Sequence, residues 1–351
     1  MEQLTIVLNK LVGGNGIDMV DIENDQTENK WDVIENFIKC HKSSGYRINR
    51  VGDCGQSYFR LMEIFAKYGN SRAMCELGGM YYHGQHVEQN YLEALKYFTM
   101  ASENGDTKAM CNLGNMYYFG IGIVKNYEAS LKFYTMASEK GIEYAMHYLG
   151  YVYYYGIYVE KNACIAFKYF KMAVEKGYVN SIGYVALMYQ LGEGVERNPE
   201  KAIEYYKKAI SYGDSDAMNN FGSMYQRGNG IERNFVKANE YFMMAIEKGN
   251  YTAMFNMSMV YRYGYGVAID LGKAEEYFNM CIQNGNAEKF RIMKTKQEQF
   301  HQQLHNKSKK TQPKHIPVTQ KIKRYFDKIG KQMTYSQYGE TDTGEVEHLI
   351  N

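Results

Sequence analysis

Glycine recurs at positions 69, 105, 141, 177, 213, 249 and 285, always 36 residues apart. No other feature of the 351-residue chain limits its fold as strongly. A fixed period of this length means that one supersecondary unit is copied and stacked. The interval carries more than its glycine. Tyrosine returns at 81, 117, 153, 189, 225 and 261, and glycine follows three residues later at 84, 120, 156, 192, 228 and 264. Six residues further come Asn90, Asn126, Asn162, Asn198, Asn234 and Asp270. An aromatic pair closes each unit: Tyr97-Phe98, Phe133-Tyr134, Tyr169-Phe170, Tyr205-Tyr206, Tyr241-Phe242 and Tyr277-Phe278.

The unit reads as two helices. Proline breaks helix interiors, and there are only three in the chain. In residues 106–141, Asp106 is placed to cap a first helix, and Ala109, Leu113 and Tyr117 fall at i, i+4, i+8 on one face. Ala109 and Gly114 are small enough for a neighbouring helix to come close. Gly120-Ile-Gly122 ends the helix, because glycine enters the left-handed region at little cost. Asn126 caps a second helix whose Ser130, Phe133, Tyr134 and Ala137 turn inward, and Gly141 ends it. Asn198-Pro199 shows the second start most plainly, with a capping side chain before a proline at the first helical position. Asn70, Asp106, Asp214, Asn250 and Asn286 suit a first-helix cap; Ile142 and Tyr178 do not. One such hairpin cannot cover its own apolar faces, so six must stack into an all-α array.

The pattern Ala-x3-Leu-Gly-x2-Tyr-x2-Gly-x-Gly-Val, then Asn, Ala, a Tyr/Phe pair, Ala and Gly, resembles the Sel-one-like repeat, a longer-looped relative of the tetratricopeptide repeat. The resemblance covers residues 70–285 and implies a right-handed α-solenoid of helical hairpins. His86 and Tyr158 depart from it at the second loop glycine, Ala186 and Ser258 at the first-helix glycine, and Cys281 at an alanine. Residues 45–69, with Tyr58, Leu61, Phe65, Ala66 and Gly69, are expected to form the second helix of a truncated first unit. Residues 1–44 are a divergent segment with one amphipathic helix at Trp31 to Lys42. Residues 286–305 are expected to cap the array as a polar helix, and 306–351 form a flexible basic tail in which Val318, Ile322, Tyr325, Phe326 and Ile329 sit at helical spacing.

Charge is uneven. Residues 289–331 hold 13 Lys/Arg against Glu298 and Asp327, a local net of +11 within a chain of net +2. RNA-reading helical arrays carry basic concave faces to neutralise phosphate, so nucleic acid is disfavoured as the partner of the acidic remainder, and membrane contact is confined to the tail. No secretory signal is evident and no run of 18 apolar residues exists. Cys75 and Cys111 occupy equivalent places about 10 Å apart in stacked hairpins, beyond disulfide reach. Reduced thiols in a cytosolic setting are expected, and the sequons at Asn250 and Asn256 are taken as chance.

Catalytic chemistry is not evident. The Gly-x-Gly loops lie between helices and lack the strand and further residues of a phosphate-binding loop. His83, His86 and His147 are not grouped at metal spacing, and the His301/His305 pair lacks a third ligand. Some secreted relatives of the repeat, with regular intra-repeat disulfides, are described as β-lactamase-like; that cysteine pairing is missing here. The expectation is no enzyme, no cofactor, no metal and no small-molecule substrate. Instead, by similarity to tetratricopeptide arrays, the first helices line a concave groove through positions matching Lys108, Cys111, Asn112, Asn115, Tyr118 and Phe119. Along the array these give an aromatic middle (Tyr144, Tyr148, Tyr151, Tyr154, Tyr155, Tyr184), then Asn219, Asn220 and Asn256, then Gln226, Arg227 and Arg262. Tyrosine supplies apolar area with one hydrogen-bonding group, and asparagine can pair with peptide backbone. The expected function is an adaptor holding an extended segment of another protein. The alternatives are an RNA-binding repeat or a structural copy without a ligand.

Overall fold

The structure, a computed structural model, describes residues 54–284 and the helical positions 291, 294, 295 and 299. The expectations for 1–44, for most of 286–305 and for the tail 306–351 lie outside the described residues, as does the His301/His305 pair. Among the described residues there are 13 α-helices and no strand, in two compact units. The first, 54–140, holds α1 (Cys54–Lys67), α2 (Ser71–His83), α3 (Tyr91–Glu103), α4 (Thr107–Phe119) and α5 (Tyr127–Glu139). The second, 141–284, holds α6 (Glu143–Tyr155), α7 (Ala163–Glu175), a 3-10 turn at Val179–Ser181, α8 (Ile182–Leu191), α9 (Pro199–Ser211), α10 (Ser215–Arg227), α11 (Phe235–Glu247), α12 (Tyr251–Tyr263) and α13 (Leu271–Asn284). In both units consecutive helices pair as hairpins.

The caps do what the sequence expects. Asp106 Oδ1 accepts from Ala109 N at 2.7 Å, and Asn70, Asp214 and Asn250 cap α2, α10 and α12 in the same way. Asn90, Asn126, Asn162, Asn198, Asn234 and Asp270 cap the second helices. The backbone N–H of each of these six also donates back to the recurring first-helix tyrosine, from Asn90 to Tyr81 O at 2.9 Å through Asp270 to Tyr261 O at 3.0 Å. One residue thus closes the loop with its backbone and starts a helix with its side chain.

Every second helix sends one large ring into the core: Phe98, Tyr134, Phe170, Tyr206, Phe242 and Phe278. The first-helix glycine makes room for it. A β-carbon at Gly114 would stand 2.7 Å from Tyr134 Cε1, and one at Gly150 would stand 2.8 Å from Phe170 Cδ1. Where the ring is tyrosine, the first helix provides an amide acceptor: Tyr134 Oη donates to Asn115 Oδ1, and Tyr206 Oη to Gln190 Oε1, both at 2.5 Å. A second ring of each pair stays half-buried, stacked on the recurring tyrosine, as in Tyr81–Tyr97 at 5.6 Å and Tyr225–Tyr241 at 5.9 Å.

The two departures at the second loop glycine keep its backbone conformation: His86 and Tyr158 both have φ of 61°. The missing first-helix cap at Tyr178 also has a physical account. Its ring packs 5.0 Å from His147 and 6.1 Å from Tyr144, and Ser181 in the 3-10 turn bonds His147 Nδ1 at 2.9 Å. Ring packing and a buried side-chain bond hold this helix start in place, and in the 3-10 turn Ser181 N donates to Tyr178 O at 3.3 Å.

Candidate ligand-binding face

The expected recognition residues separate into those that meet solvent and those that do not. In the first unit Lys108 is exposed and Tyr118 half-buried, its ring edge-on to Phe119 at 4.8 Å and to Tyr127 at 5.4 Å. Burial pushes the Tyr118 phenol above its ordinary range, with a smaller contribution from Tyr127. Asn112 and Asn115 are only 4% and 2% exposed. Their placement on an open groove is therefore corrected. Asn115 instead accepts the hydroxyl of Tyr134 in the core, a burial that would be costly without that bond.

In the second unit the same correction applies to Tyr148 and Asn219, which are 6% and 4% exposed. Tyr148 packs on Tyr144 at 4.7 Å and on His147 at 5.7 Å, forming the floor of an aromatic cluster on α6 and α8. His147 is enclosed by this floor, by Phe170 at 5.5 Å and by Tyr184 at 5.6 Å. Desolvation lowers its pKa to about 3, so it stays neutral. Above the floor, Tyr151, Tyr155 and Tyr184 are half-buried and linked: Tyr151–Tyr155 at 4.6 Å and Tyr151–Tyr184 at 6.4 Å, with Tyr184 stacked on Phe170 at 4.5 Å. Burial raises the Tyr155 phenol far above its ordinary range, reinforced by Tyr154, Tyr151 and Asp216 and opposed by a hydrogen bond with Tyr184.

Past α8 the face turns polar. Asn256 Nδ2 on α12 donates to Asn219 Oδ1 on α10 at 2.7 Å, and Asn219 Nδ2 reaches Asn220 Oδ1 at 3.4 Å. Asn250 Nδ2 donates to Asp216 Oδ1 at 2.7 Å and to Ser215 Oγ at 3.3 Å. The bonds made by Asn250 and Asn256 cross between successive hairpins, so these amides and Asn219 are ordered before any ligand arrives. Asn250 is thereby committed on both side-chain atoms, as cap and as cross-brace, which leaves its sequon sterically closed. Arg262 is held by α13, its Nη2 3.6 Å from Glu275 Oε2, and Lys294 Nζ bonds the same carboxylate at 2.8 Å.

Sequence reasoning missed Asp216, His147, Asn250 and Gly183 as parts of this face. The signal was present for Asp216, which shares the repeat register of Lys108. For Gly183 there was none, because its role is to leave space: Asp214 Oδ2 lies 2.5 Å from where its β-carbon would be. Among the described residues no three His, Cys, Asp or Glu side chains converge at metal-binding distance, and no helix is long and apolar enough to cross a membrane. The described span 54–284 carries 22 Lys/Arg and 23 Asp/Glu, so the array itself is almost neutral.

Comparison with known proteins supports the same architecture. The Sel1 repeat model matches residues 71–106, 107–142, 143–178, 181–214, 215–250 and 252–286. The fold is similar to the crystal structure of a Sel1 repeat protein from Oxalobacter formigenes, with a TM-score of 0.60 and 27% identity over 70% of this chain and 95% of that one. It is also similar to c5321, a protective antigen present in uropathogenic Escherichia coli strains and displaying an SLR fold. There the TM-score is 0.61 and the identity 23%, over 81% of this chain and 61% of that one. No curated protein matches the sequence.

Proposed function

The chain belongs to the Sel1 repeat family, and from that premise we propose that it is a non-enzymatic scaffold holding an extended segment of a partner protein. The observation that carries this reading is the face of α6, α8, α10 and α12. There half-buried tyrosines give way to asparagines, and the side chains are fixed by ring contacts and cross-hairpin bonds. Preordered aromatic and amide groups lose little conformational entropy on binding, and tyrosine is enriched where proteins recognise proteins. The residues proposed to touch the partner are Tyr151, Tyr155, Tyr184, Asn220 and Asn256 of the second unit; in the first unit, taken by itself, Lys108 and Tyr118 are the corresponding solvent-facing positions. Tyr148, Asn219, Asn112 and Asn115 act beneath them as support, and Arg262 through its tie to α13. A cytosolic location is part of the proposal and rests on Cys75, Cys111, Cys164 and Cys281 being thiols.

The test is affinity capture from the native cell with the full chain and with a Tyr151→Ala/Asn220→Ala variant. Both positions are half-buried, so the variant should melt close to the parent while losing most captured proteins. An unchanged set of captured proteins would exclude this face.

A further inference from the structure

The face just described has the Asp216 carboxylate near its rings, and that group has a chemical consequence. Gly183 lets the first turn of α10 come against α8, with Asp214 Oδ2 2.5 Å and Ala217 Cβ 3.9 Å from the place a β-carbon would take. Tyr184 follows Gly183 directly, and Asp216 lies in that same first turn. Asn250 Nδ2 holds Asp216 Oδ1 at 2.7 Å, and the Asp216 charge is felt at the Tyr155 phenol. Tyr151, Tyr155, Tyr184 and Asp216 are all half-buried. Each therefore keeps part of its surface open while being ordered by its neighbours.

We propose that this part of the face recognises a Lys or Arg side chain on an extended segment of a partner protein, with the tyrosine rings against the cation and Asp216 as its counter-charge. The inference rests on the scaffold reading and specifies its ligand. Aromatic faces carry negative quadrupole density and attract cations, and a carboxylate at their edge adds a charge-assisted hydrogen bond. An apolar side chain docked on the same rings gains neither the cation–ring attraction nor the charge-assisted bond, so discrimination comes from the attraction.

The experiment measures fluorescence anisotropy of short dye-labelled Gly/Ser peptides bound to the full chain, with Arg, Lys, Gln or norleucine at the centre. The Arg and Lys peptides are expected to bind at least about tenfold more tightly than the Gln peptide, with the gap narrowing as salt rises. Asp216→Asn should close most of that gap. Tyr151→Leu, which keeps the site apolar, should weaken the Arg peptide more than the norleucine peptide. Equal binding of Arg and Gln peptides, a gap that survives Asp216→Asn, or no binding of any peptide overturns the proposal. Failure here with partner capture still lost in Tyr151→Ala/Asn220→Ala would refute the charge preference alone; capture unaffected by that variant would refute the scaffold reading itself.

Discussion

Gly78 and Gly79 are neighbours in α2, and a single methyl group should affect them in opposite directions. A β-carbon on Gly79 would meet nothing within 4 Å beyond its own helix. Replacing glycine by alanine in a helix interior is worth up to about 1 kcal/mol, so Gly79→Ala should stabilise by about that amount. A β-carbon on Gly78 would stand 2.5 and 2.6 Å from Cδ1 and Cε1 of Phe98. Carbon atoms sit comfortably at about 3.5–4.0 Å, so the overlap is about 1 Å. Phe98 cannot retreat, being fully buried with Ala94 and Ala101 beside it, also fully buried. Overpacking of this kind costs about 1–3 kcal/mol, and the depth of the overlap argues for the upper end. Subtracting the same helix gain leaves Gly78→Ala destabilised by about 2 kcal/mol, some 3 kcal/mol from its neighbour. Urea unfolding of the full chain, followed by far-UV circular dichroism, reads both. A Gly78→Ala variant as resistant to urea as the parent would refute the account of why this glycine recurs. Ala186 and Ser258, both fully buried, hold the equivalent places in α8 and α12.

Tyr158 is held at φ 61° and is 67% exposed; Tyr158→Gly should raise the urea midpoint, by about 1 kcal/mol in stability, because the left-handed cost falls away. Gly194→Ala, whose β-carbon would lie 2.1 Å from Ala163 O, should lower it. His147 has a folded pKa of about 3 against about 6.5 unfolded. Its neutral burial therefore contributes full stability above pH 6.5, and that contribution is lost progressively as pH falls toward 3. The slope is about 1.4 kcal/mol per pH unit, so urea unfolding at pH 7.5 and 5 should show a loss of about 2 kcal/mol that His147→Gln largely removes. Among the described cysteines, exposed Cys164 should react with maleimide in the native chain. Cys75 and Cys281 should resist until unfolding, since burial pushes both thiols up, Cys281 to about 12; peptide mapping by mass spectrometry distinguishes them.

The period, the helical pairs and the capping residues were legible in the chain because each depends on a local rule. A left-handed glycine, an asparagine before a helix and an apolar stripe act within one turn of backbone, and Asp106 or Asn198 needs no distant partner to do its work. The aromatic column was equally legible as a column. What it could not reveal was which face of a first helix stays open. Asn115 and Tyr118 lie one turn apart, yet the first accepts a hydroxyl in the core and the second meets solvent. Nothing in spacing distinguishes them, because the difference comes from Tyr134 on another helix. The same holds for Tyr148 and Tyr151, and for Asp216, whose importance depends on the space left by Gly183 and on the Asn250 amide arriving from the next hairpin. The sequence by itself thus determined the repeating unit and the places where helices begin and end. Tertiary structure alone decided exposure and pairing, since those are properties of residues 16 to 37 positions apart meeting across packed helices.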